Sequence, residues 1–159
     1  MEYVDIISRI VHVATAITLV GGSVFTLFVL IPSASELPDQ AHQQLSASIK
    51  QRWKRFVHIG VLLFLVSGFY NYIRMIPAHQ GDGLYHGLVG TKILLAFGVF
   101  FLAAALVGRS EKLEGFRRNR KKWLSVLVLL TAVIVAISGY VKVRGVLPST
   151  EVSQTDPQL

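Results

Sequence analysis

The sequence contains no cysteine, which removes disulfides, thiolate metal sites and iron–sulfur clusters together. It also lacks the alternating segments of about 10 residues that mark the strands of an outer-membrane-type barrel. No clear internal repeat is present, so each stretch is read on its own. A basic leader region is missing too: Glu2 and Asp5 stand at the start. The apolar run behind them is too long for the core of a secretory signal, although Ser33-Ala34-Ser35 loosely resembles a cleavage site. The first span is therefore expected to be retained.

What the sequence does have is hydrophobic length. Of 159 residues 52% are hydrophobic, and the mean hydropathy is +0.54, too apolar for an ordinary soluble domain and enough chain for one domain. Four stretches, about 5–31, 53–75, 85–107 and 123–141, can each cross a hydrocarbon core of about 30 Å, which takes about 20 apolar residues in a helix. The expected fold class is all-α, an integral membrane antiparallel four-helix bundle. It forms a single domain over residues 1–145, followed by a mobile polar tail at 146–159 with two prolines and no apolar period.

The formal net charge of +7 and the isoelectric point near 10.0 come from two loops. One carries Lys50, Arg52, Lys54 and Arg55, and the other Arg109, Lys112, Arg117, Arg118, Arg120, Lys121 and Lys122. The opposite side holds Arg9, Arg74, Lys142 and Arg144. By the positive-inside rule the basic loops are cytoplasmic, so both termini are expected to be extracytoplasmic in a multi-pass protein of the cell (inner) membrane. The "RRNRKK" run is read as a topology signal with secondary contact to anionic lipid, and no nucleic-acid partner is expected. Pro38-Asp39 predicts a helix start with Asp39 as cap. Ala41, Leu45, Ile49 and Trp53 then recur every four residues, as in an interfacial helix leading into the second span. A GxxxG motif at Gly83 and Gly87, with Gly90 nearby, predicts close helix packing. Homo-oligomers are expected through such small-residue faces.

Lys92 lies inside the third span, between Thr91 and Ile93. A lysine at the middle of a membrane helix costs about 2.5–3.5 kcal/mol, so it either snorkels along its own stem or has a partner. On the first span Ser8, His12, Thr15, Leu19, Gly22 and Thr26 fall at steps of three and four, placing His12 on a stripe that faces the bundle. At 1.5 Å per residue, His12 lies about 10 Å below Asp5 and Lys92 about 10 Å below Tyr85, so the two share a depth. His58 starts from the other surface, about 8 Å in from Trp53, and is too far from His12 in depth to be the second axial ligand of one iron. His86 and Lys92 are separated by about 240° around their helix. His42 and His79 are loop residues with no site role, and His58 is interfacial. Arg9, Arg74 and Asn71 belong to the same outer end. An imidazole to ligate iron and guanidiniums to hold carboxylates would suit a porphyrin. A packing role for His12 stays open beside it.

The segments "RIVHVATAITLVGGSVFTLFVLIPSA", "RWKRFVHIGVLLFLVSGFYNYI" and "GTKILLAFGVFFLAAALVGRSEKL" resemble the copper resistance D-like membrane family over roughly residues 5–145. The marks are His12 with Gly21-Gly22, Arg55-Phe56 with Ser67-Gly68, and Lys92. That group is similar to the relatives of the four-helix bacterial protoporphyrinogen oxidase, a b-haem membrane protein with a first-helix histidine and a third-helix lysine. The resemblance maps onto His12 and Lys92 and implies bound haem b; His12 is expected as one axial ligand, with Lys92 or His86 as the other. It also implies membrane redox chemistry, possible oxidoreductase activity and a membrane electron-transfer partner. Copper is the alternative cofactor. Copper(I) favours Cys and Met, and Met75 is the only methionine besides the initiator, so a copper site would be a histidine one through His12 and His86. A cofactor-free accessory subunit is the third expectation.

Overall fold

The computed structural model describes residues 2–108 and 110–145, so the tail expected at 146–159 lies outside the described residues. Among the described residues the structure is helical without strands. The elements are α1 (Glu2–Phe25), a π-turn (Thr26–Leu30), α2 (Ile31–Ala34), α3 (Asp39–Met75), a 3-10 turn (Pro77–His79), α4 (Gly83–Val107), a second 3-10 turn (Glu111–Leu113), α5 (Glu114–Arg118) and α6 (Arg120–Arg144). The rods Glu2–Ala34, α3, α4 and α6 are each long and apolar enough to cross a membrane. The chain is a multi-pass membrane protein in outline.

Local chemistry explains the boundaries. Pro32 has no N–H to donate to the carbonyl of Phe28, and the preceding turn widens into the π-turn rather than breaking the rod. Pro38, in an extended conformation at φ −56° and ψ 147°, holds the N-cap position of α3 without a side-chain bond. Asp39 is thus the first helical residue and not the expected cap. There its carboxylate still meets the positive end of the helix dipole. The expected interfacial helix is not a separate element, because residues 39–59 contain neither Gly nor Pro and α3 runs on unbroken. At 37 residues α3 is about 55 Å long, so it projects well beyond a core of about 30 Å. The side chain of Asp82 caps α4 by accepting from the Tyr85 N–H, and α6 ends at Gly145, whose φ of +69° suits a residue without Cβ.

Polarity is reversed relative to a soluble domain. Large apolar side chains point outward, with Val143 89%, Leu94 73% and Ile17 68% exposed, while Thr15, Ser23, Thr26, Ser67 and Thr131 are buried. Where no water is at hand, a hydroxyl must bond within the protein. Ser23, Thr26, Ser67 and Thr131 each donate to the carbonyl four residues back, at 2.6–2.8 Å.

The rods associate chiefly as α1 with α3 and α4 with α6, and α3–α4 and α1–α6 contacts join the two pairs. An apolar core of Leu27, Leu102, Leu106, Leu124 and Leu127 sits toward the basic-loop end. Phe116 and Trp123 close it, their rings 4.5 Å apart. The α1–α3 seam works by large against small. His12 lies over Gly68, Leu19 over Gly60, and the Trp53 indole over Gly22, each where a Cβ would stand. Ties from Asp5 to Arg74, from His12 to Ser67 and from Leu19 to Gly60 advance seven residues on α1 and retreat seven on α3, the heptad register of helices crossing at a shallow angle. By contrast, Gly83, Gly87 and Gly90 meet nothing within 4 Å. The GxxxG motif is not used for packing within the chain.

Candidate functional site

His12 sits half-buried on the seam. The stripe predicted for α1 turns toward α3: Ser8 Oγ donates to the Ser67 carbonyl at 3.4 Å, and Thr15 and Thr26 are buried. The Ser67 hydroxyl spends its hydrogen on the Leu63 carbonyl at 2.6 Å, so in its 3.0 Å contact with His12 its oxygen is the acceptor and Nδ1–H the donor. In the neutral ring the lone pair is then on Nε2. The Phe64 ring, 4.0 Å away between centroids and tilted by 41°, holds one side of the imidazole. Gly68 leaves room for the ring, since a Cβ there would stand 3.2 Å from His12 Cε1.

Phe64 in turn meets Phe100 of α4 edge-on at 5.6 Å, which brings α4 to the same seam. Lys92 of α4 is half-buried, forms no ion pair with a described residue, and is close enough for its charge to act on the His12 ring. Imidazole and ammonium are therefore within electrostatic reach of each other. No family model, curated protein or solved structure matches this chain. The site stands on its own geometry.

The other expected residues take different places. Arg74 is not a free carboxylate clamp: its Nε and terminal nitrogen both donate to Asp5, each at 2.9 Å, and the Tyr70 hydroxyl adds a bond to Asp5 at 2.7 Å. That fork ties the end of α3 to the start of α1. Arg9, exposed and three residues before His12 on the same helix face, forms no ion pair with a described residue. Asn71 is half-buried on α3. His86 donates from Nε2 to the His79 carbonyl at 3.1 Å, so only its Nδ1 keeps a lone pair and its bond ties it to the loop. His58 donates from Nδ1 back to the Lys54 carbonyl at 2.7 Å. Among the described residues no three His, Cys, Asp or Glu side chains gather as a metal-ligand set, so a copper site built from His12 and His86 has no third such ligand.

Sequence reasoning missed the knot between the α3–α4 loop and α6. Asp82, 5% exposed, takes two bonds from Arg144 at 2.9 and 3.0 Å and one from the Tyr85 N–H at 3.0 Å. The Arg144 guanidinium, and after it the Tyr85 N–H, hold the Asp82 carboxyl below the usual carboxylate range. His79 is buried rather than a free loop residue, stacked on Tyr85 at 3.6 Å and 13°. Its Nδ1–H bonds the Met75 carbonyl at 3.1 Å. The available signal was the scarcity of carboxylates at this end of the helices: up to residue 145 only Asp5 and Asp82, with Glu2, face four cations, and each of the two aspartates captures an arginine.

Proposed function

We propose that this protein is an antiparallel four-helix bundle of the cell (inner) membrane, with both termini outside, that binds a b-type haem in its outer half for membrane redox chemistry. The observation that carries the reading is the His12–Ser67 bond, which directs the Nδ1 proton into the seam and leaves Nε2 as a nitrogen donor within electrostatic reach of Lys92. Such an acceptor behind an iron-ligating histidine fixes its tautomer and strengthens its basicity. The donor set fits a haem iron: one oriented imidazole, with a lysine nitrogen in its vicinity. Bound haem would supply a one-electron iron couple. The chain's own residues position and tune it: Ser67 and Phe64 orient His12, Gly68 gives the ring space, Lys92 contributes positive charge or a second nitrogen, and Arg9 offers a guanidinium to a carboxylate. The reading also draws on the resemblance of the first three spans to the copper resistance D-like family, a group similar to the b-haem four-helix proteins. The open face of Gly83, Gly87 and Gly90 would admit a second copy of the chain.

A cofactor-free accessory subunit is the second reading, favoured by the closure of Arg74 on Asp5. A visible spectrum and metal analysis of the detergent-purified chain separate them. The haem reading expects a Soret band that His12→Ala largely removes while helical content is unchanged. Copper without a Soret band would favour the copper alternative, and neither metal would leave the accessory role.

A further inference from the structure

A groove of about 240 Å³ opens at the basic-loop end, where α2, the projecting part of α3 and the start of α6 meet. Its floor is apolar, formed by Leu30, Ile31, Leu45 and Ile49. Its rim is cationic, formed by Arg118, Arg120 and Lys121, and no carboxylate lines it. None of these three forms an ion pair with a described residue, although Arg120 is half-buried. A guanidinium partly withdrawn from water without a counter-charge is poorly satisfied, and phosphate oxygens match its fork.

The level of the groove identifies its occupant. Ile49 lies about one helical turn before Trp53, and Arg120 about one turn before Trp123. Tryptophans mark the boundary between hydrocarbon and headgroups. The cations thus stand at headgroup height, and the floor lies level with them, Ile49 about one turn and Leu45 about two turns outside Trp53. An amphipathic anion satisfies both surfaces, whereas free phosphate would leave the floor uncovered. We infer that this groove is a binding site for an acidic phospholipid, its phosphate on Arg118, Arg120 and Lys121 and the acyl-glycerol end next to that phosphate on the apolar floor. The inference uses the opposite end of the molecule from His12 and is independent of haem.

Trp53 and Trp123 are the only tryptophans and both flank the site, so they report on it directly. The full chain is reconstituted in phosphatidylcholine vesicles doped with acyl-brominated phosphatidylglycerol or acyl-brominated phosphatidylcholine, and tryptophan quenching is followed against mole fraction. Brominated phosphatidylglycerol is expected to quench at the lower fraction. Each of Arg118→Gln, Arg120→Gln and Lys121→Gln should weaken that preference about fivefold, and Leu45→Asp should abolish it with every cation in place. Arg52→Gln with Arg55→Gln, charges at the same end but outside the groove, should preserve it. Helical content by circular dichroism checks that each variant is folded. Equal quenching by both lipids, or an equal loss in the Arg52/Arg55 variant, would mean only diffuse surface attraction and overturn the site. Relief of quenching by dissolved inorganic phosphate would replace it with a free-anion site.

Discussion

A lysine in the middle of an apolar span poses its question at the scale of one side chain. Lys92 is half-buried, unpaired with any described carboxylate and within electrostatic reach of His12. Its charge opposes insertion by about 2.5–3.5 kcal/mol on translocon scales, so Lys92→Met should raise stability by up to that amount if the residue has no other task. In the haem reading the same variant is expected to keep its fold yet shift the Soret band or the midpoint potential. Lys92→Arg then divides the roles. Guanidinium keeps the charge and has no lone pair to give, so a ligand role makes the Arg variant resemble the Met variant, and an electrostatic role makes it resemble the wild type. Spectra and potentials unchanged in both would reduce Lys92 to a snorkelling residue.

Pairs of helices are held by complementary steps along the α1–α3 seam. Adjacent glycines provide the comparison: a Cβ on Gly22 would fall within the Trp53 indole, while one on Gly21 meets nothing within 4 Å. Gly22→Ala is expected to destabilise the protein by about 1–3 kcal/mol, the usual effect of overpacking. Gly21→Ala should be neutral or slightly stabilising, because alanine is the better helix former. Thermal or denaturant unfolding in one detergent measures both, and equal effects would show that the seam is not packed as described. Much of this seam was legible in the sequence, since steps of three and four placed Ser8, His12, Thr15, Leu19, Gly22 and Thr26 on one face. Its partners were not, because periodicity identifies a face and says nothing of what covers it. For the same reason the GxxxG of α4 read as a packing motif although its glycines face outward within the chain.

For the whole molecule the basic loops give the orientation to be tested. A reporter fused after Leu159 is expected to behave as extracytoplasmic and one inserted at 115–119 as cytoplasmic. The reverse would place the His12 end on the cytoplasmic side. Hydropathy, helical period and the tally of cations are local properties, and the sequence by itself therefore determined four membrane-length helices and the inward stripe of α1. Tertiary structure alone decided which charges remain available. Arg74 is satisfied by Asp5 and Arg144 by Asp82, across separations of 69 and 62 residues, and both pairs depend on which helix ends come together. The His12 tautomer follows from a serine 55 residues away, and the groove of Arg118, Arg120 and Lys121 exists only where three distant segments converge. A short-range pattern records how each helix meets lipid or protein. Which polar group meets which is settled by packing, since a charge in low dielectric takes whatever partner the fold brings within reach.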